Sequence, residues 1–119
     1  MPERDRLFLL HPGFADPALG AGIYYCVGCA AIEGVLTYHP ELRARLSVEH
    51  LAFSRPRAPL VELLGAEHQS CPVMVIGTRP VPPVDGIQTS AATGRRFAHG
   101  VPAITTYLAV VYGIPAVHP

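Results

Sequence analysis

The chain has no lysine, only three cysteines in 119 residues, and no surplus of either charge. Each absence narrows what it can do. All nine cationic residues are arginines, so a site that needs the compact point charge of an amine is unavailable. Nine basic residues against nine acidic ones leave a formal net charge of zero. That argues against a nucleic-acid partner, which calls for a basic excess on one face. Three cysteines are an odd number and too few to frame a disulfide-stapled domain. Long hydrophobic runs are missing as well. The apolar stretch nearest the N-terminus is only Leu7 to Leu10, whereas a membrane span needs about 18 or more apolar residues and a secretory signal about 7–15. A cytoplasmic protein with no membrane contact is expected. In that compartment a close cysteine pair is more often catalytic or metal-binding than structural.

Apolar residues are plentiful, at 50 % against 15 % charged, as in a folded globular chain rather than a disordered one. At this length one domain is expected, residues 1–119. "RLFLL" reads as a short buried strand, and the Gly- and Pro-dense "HPGFADPALGAG" after it as a loop. From Tyr25 the pattern becomes helical: Ile32 with Val35 and Leu36, and then Leu42 with Leu46, stand three or four residues apart, with a break at His39 before Pro40. Pro40 opens a further turn, with Glu41 near its start. "SVEHLAF" alternates as a second strand, and "APLVELLG" is a short helix ended by Gly65. "CPVMVIG" is the strongest strand pattern, a continuous apolar run suited to a central strand covered on both faces. "TRPVPPVDGIQTSAATGRRF" predicts an exposed excursion with a short strand around Ile87. "VPAITTYLAVVYGIP" closes the chain as a helix stopped by Gly113 and Pro115. Strands alternating with helices imply crossover units and an α/β sheet.

"YCVGC" puts Cys26 and Cys29 one helical turn apart at the head of the first helix. Free backbone N–H groups and the positive end of the helix dipole stabilise an anion at that place. A thiolate is the nucleophile of disulfide exchange, and a second thiol one turn on can resolve the mixed disulfide it forms. The same spacing serves metal ligands, but a closed site needs four, and Cys71 with a histidine such as His11, His68 or His99 would have to complete it. Two small buried side chains are the third reading.

A first strand, a CxxC at the start of the first helix, and Cys71-Pro72 opening a later apolar strand resemble the layout of thioredoxin-like proteins, glutaredoxins included. The likeness spans residues 6 to 114 as an order of elements and rests on "YCVGC" and "CPVMVI" as motifs. "AITTYLAVVYGIP" is also similar to the last helix of the thioredoxin-like domain of glutathione transferases. Gly100-Val101 stands where those enzymes carry an acidic-Ser pair, and their all-helical second domain has no counterpart. Taken whole, the chain resembles a small bacterial family of thioredoxin-like proteins of unassigned function. The resemblance implies a central mixed four-stranded sheet flanked by helices on both faces. Strands one and two would be parallel, and the strand after Pro72 antiparallel to strand one. Pro72 would be cis, which is uncommon, and would face Cys26, offering the backbone of Cys71 to a substrate. Against the thioredoxin pattern, Tyr25 stands where a tryptophan is usual, the loop before Cys26 is longer, and Cys71 adds a third thiol beside the pair.

The expected function is thiol–disulfide exchange: Cys26 attacks, Cys29 resolves, and Tyr25, Cys71 and Pro72 hold a protein or low-molecular-weight thiol, with glutathione one such partner. That reading calls for neither cofactor nor metal. The alternatives are a non-catalytic binding module, with a homodimer through the last helix, and a metal site on the three cysteines. His11 is a candidate proton carrier at Cys26. His68 and Gln69 are candidates to line the substrate groove, and Tyr24 to shape it. Arg55 and Arg57 are candidates to clamp a carboxylate, and Arg95 with Arg96 has the same standing.

Overall fold

The structure is a computed structural model and describes residues 3–119. Five strands form one mixed sheet in the order β2-β1-β3-β5-β4. The strands are β1 (Arg6–Leu10), β2 (Ser47–Leu51), β3 (Val73–Val75), β4 (Ile87–Thr89) and β5 (Arg96–His99). The α-helices are α1 (Val27–Tyr38), α2 (Leu42–Arg45), α3 (Ala58–Leu64) and α4 (Val101–Tyr112). β1 runs parallel to β2 and antiparallel to β3; β3 and β5, and β5 and β4, pair antiparallel.

Side-chain alternation splits the core into two layers. Leu7 and Leu9 of β1 and Met74 of β3 meet Cys29, Ile32 and Leu36 of α1 and Ile104, Tyr107 and Leu108 of α4. Phe8, Val73, Val75 and Phe97 point the other way, onto Leu60 and Leu64 of α3. The sheet is thus covered by helices on both faces, which is why β1 and β3 read as unbroken apolar runs. α1 ends at Tyr38 with His39 as its cap, where Pro40 breaks the pattern. Gly113 ends α4 in the left-handed region, at φ 77°. Among the described residues no helix is long and apolar enough to cross a membrane.

The expected count of four strands is corrected to five. The excursion after Gly77 folds back as the β4–β5 hairpin, and β5 inserts between β3 and β4. Phe97 and Ala98 are the only apolar residues of β5, flanked by Arg96 and His99. Its strand state comes from pairing with β3, Met74 opposite Ala98 and Val75 opposite Phe97, not from a pattern of its own. Two predicted strands are also shorter than their apolar runs. β2 stops at Leu51, short of Phe53, and the β3 ladder begins only at Val73 because Cys71 and Pro72 form the turn that feeds it.

At the Arg6 end of β1, Asp5 is fully buried and accepts five hydrogen bonds. They come from the Gly77 N–H at 2.7 Å, the Arg79 guanidinium at 2.6 and 2.9 Å, the Tyr112 hydroxyl at 2.7 Å, and the Tyr107 hydroxyl. Burial alone would raise its pKa, but Arg79 and the other donors outweigh it and hold the carboxyl down at about 2. This network ties the chain start to α4 at the end of the sheet opposite the cysteines.

Candidate thiol site

β1 delivers Leu10 to the other end of the sheet, and the loop from His11 returns there to launch α1. The loop is braced by a bridge between Phe14 and Tyr24 and by Phe14 stacked on Phe53, ring centroids 4.4 Å apart. Cys26 is the N-cap of α1. Its backbone is extended, its carbonyl accepts the Ala30 N–H at 3.0 Å, and its Sγ accepts the Cys29 N–H at 3.2 Å. The sulfur therefore stands where serine or aspartate oxygens commonly cap a helix. One N–H of the first turn, that of Cys29, already points at it.

Cys29 lies one turn on and is 3 % exposed, its Sγ accepting the Leu10 N–H at 3.4 Å. Burial, followed by the neighbouring Cys26, pushes its thiol up to about 12. The Cys26 thiol in turn faces the carbonyl of Cys71, Sγ to oxygen 3.8 Å. The Cys71–Pro72 peptide is cis, as is Arg55–Pro56. Burial raises the Cys71 thiol to about 11, although the charges of Arg57 and Arg55 pull it down. Gly28 sets how closely these parts approach. A Cβ on it would lie 3.1 Å from Pro72 Cδ and 3.4 Å from Val101 Cγ2, so the residue between the cysteines leaves room for the Pro72 ring.

A groove of about 290 Å³ opens beside the pair, lined by Leu10, Pro12, Tyr25, Cys26, Cys29, Ala30, Glu33 and His50. Close to Cys26 in the chain, Ile23, Tyr25 and Val27 are large apolar residues left uncovered, 73 %, 65 % and 76 % exposed.

Residues 4–116 match the family described as "Protein of unknown function (DUF3088)". The chain belongs to that family. No curated protein and no solved structure matches it.

In this DUF3088 chain the structure brings Cys26, Cys29, Tyr25, Cys71 and Pro72 to one end of the sheet. The remaining sequence candidates do not line the groove. His11 is exposed and outside the groove lining; it stacks on His50 with ring centroids 5.5 Å apart. Tyr24 is tied into the loop bridge. His68 lines a different hollow, of about 220 Å³ on the α3 face, with Val73, Phe97 and His99. Gln69 is buried, and its Oε1 accepts the Arg57 N–H at 2.7 Å. Arg57 is itself buried and holds the carbonyls of Phe53 and Gln69, so it fastens a loop. Arg55 is exposed and reaches the Ser70 hydroxyl at 3.4 Å. Arg95 pairs with Glu3, and Arg96 holds the carbonyls of Gly77 and Arg79. Among the described residues no group of three or more His, Cys, Asp or Glu side chains is arranged to hold a metal ion.

Two residues beside the pair went unread in the sequence. Glu33 accepts a hydrogen bond from His50 Nε2 at 2.9 Å and from Arg43 at 3.2 Å. Burial raises the Glu33 carboxyl, and His50 and Arg43 more than offset it, for a net lowering. The available signal was spacing, since Glu33 stands four residues after Cys29 and so shares its helix face. Nothing local marked His50, which reaches the site only through the pairing of β2 with β1.

Proposed function

We propose that this chain is a thiol–disulfide oxidoreductase of thioredoxin-like build. The observation that carries the reading is the Cys26 sulfur at the N-cap of α1, receiving the Cys29 N–H and facing the Cys71 carbonyl. A thiolate at that position attacks an external disulfide RSSR. The Cys26–SR bond forms, and one RS⁻ leaves with the electron pair of the broken S–S bond. Cys29, deprotonated, then attacks the Cys26 sulfur; the Cys26–Cys29 bond forms and the second RS⁻ departs. The dithiol is oxidised by two electrons and RSSR is reduced to two thiols once the leaving thiolates are protonated.

The strand pattern supports the thioredoxin-like assignment. β2-β1-β3-β5, with one parallel and two antiparallel pairs, follows the four-stranded arrangement that the resemblance implies, and β4 is an added edge. Tyr25 and its apolar neighbours suit contact with a peptide or a small thiol, glutathione included, and a reducing compartment such as the cytoplasm suits the free thiols. Dimerisation through α4 finds less support. Ile104, Tyr107 and Leu108 are buried inside the chain, leaving Val110 as the large exposed apolar residue of that helix. The test is exchange with oxidised glutathione. Cys26→Ser should abolish it, while Cys29→Ser should retain the first step and accumulate a glutathione adduct on Cys26, read by mass. Unchanged exchange in Cys26→Ser would refute the reading.

A further inference from the structure

Resolution of the mixed disulfide requires Cys29, a residue 3 % exposed, to lose its proton. Three independent features converge on how the fold answers that. Glu33 follows Cys29 by one helical turn, placing the two Cβ atoms about 5–6 Å apart on one face of α1. The parallel register sets His50 of β2 opposite Leu9, next to Leu10, whose N–H is the one docked on the Cys29 sulfur. The Glu33–His50 hydrogen bond then joins α1 to β2 across the groove that both cysteines line. At about 290 Å³ the groove has room for water. Leu10, Pro12 and Ala30 make up its apolar wall.

We propose that the Glu33–His50 pair takes up the Cys29 proton during resolution, acting as positioning and proton-accepting residues across the groove. The proposal rests on the oxidoreductase reading and adds the group that reading lacks. With Nε2 donating to Glu33, the second ring nitrogen of neutral His50 is the acceptor, and the imidazolium formed is held by the Glu33 carboxylate. The S–H bond of Cys29 breaks as the proton passes by groove water to His50. The sulfur's electron pair forms the bond to Cys26, and RS⁻ leaves and recovers a proton from solvent. The charged and titratable groups facing the pair are Arg43, on the second Glu33 oxygen, His11, stacked on His50, and the two cysteine thiols across the groove. Arg43 keeps Glu33 ionised and so keeps the imidazole oriented.

The experiment is single-turnover resolution. Protein carrying glutathione on Cys26 is prepared, and release of glutathione is timed from pH 6 to 9 in wild type, His50→Gln and Glu33→Gln. His50→Gln is expected to slow release about 10²-fold at pH 7. Its rate should then climb about tenfold per pH unit as hydroxide takes over the proton, while wild type shows a shallower profile. Glu33→Gln should slow release less, since it removes the orienting carboxylate and leaves the imidazole. A wild-type rate and pH profile in both variants would overturn the proton role, as would a uniform slowing at every pH, the mark of mere displacement. If wild-type protein releases no glutathione and forms no Cys26–Cys29 bond, the oxidoreductase reading falls and this proposal with it.

Discussion

Replacing Asp5 with asparagine keeps the shape of the side chain and removes its charge. The magnitude follows from its surroundings. Asp5 is fully buried, and its donors hold its carboxyl at about 2 against an ordinary 3.8, a difference worth about 2–3 kcal/mol of native-state stability. Because the folded-state pKa is depressed, that stabilisation is fully present above pH 4 and is lost as pH falls through 3.8 toward about 2. Asparagine also leaves Arg79 without its carboxylate. Losing one partner of a buried pair costs about 3–5 kcal/mol, but the Arg79 side chain is 30 % exposed and can turn to water, which holds the cost near the lower figure. Urea unfolding of reduced protein, followed by circular dichroism at pH 7, 4 and 2.5, measures the difference between the two proteins. The expected gap is about 3 kcal/mol at pH 7, shrinking as pH falls below 4. A gap under about 1 kcal/mol at pH 7, or one of equal size at pH 7 and 2.5, would refute this account of the network.

Two further outcomes follow from the thiol site. Gly28→Ala gains about 1 kcal/mol of helix propensity and meets the buried Pro72 ring at 3.1 Å, so stability should change little while the Cys26–Cys71 spacing is forced wider. Its signature is a slower exchange rate with an unchanged unfolding midpoint, and a wild-type rate would contradict it. Alkylation at pH 8 should modify Cys26 first. Cys29 and Cys71, held at about 12 and about 11 by burial, stay protonated there and should react quickly only above pH 10 or in denaturant, as peptide mass mapping will read.

The elements that were legible in the sequence are those whose own residues carry a period or an unbroken apolar run: β1, α1, β2, α3, β3 and α4. Pro40, Gly65 and Gly113 marked breaks that the backbone respects because each residue's geometry forbids or ends a helix by itself. β5 was hidden because only Phe97 and Ala98 are apolar in it, and its state is fixed by β3 some twenty residues earlier. The Asp5 network was hidden for the same kind of reason. In "PERDRL" it reads as one more surface charge, while its partners lie at Gly77, Arg79, Tyr107 and Tyr112. At the site, Cys26 and Cys29 could be named from spacing, and Pro72 from the resemblance to thioredoxin-like proteins. Glu33 had only its four-residue step from Cys29 to mark it, and His50 had nothing local, since their meeting depends on the register of β2 against β1. Arg57 shows the opposite error: its charge suggested a ligand clamp, and the fold uses it to hold the carbonyls of Phe53 and Gln69.

The central claim is that Cys26 and Cys29 form a working redox pair. Equilibrating the protein in glutathione buffers of graded ratio, quenching with an alkylating reagent and mapping the products by mass tests it directly. The account predicts a reversible two-thiol transition confined to Cys26 and Cys29 within the range of cellular redox poise, with Cys71 remaining a thiol. Protein in which no disulfide forms at any ratio, or in which the cysteines become reactive only after a chelator is added, would contradict it.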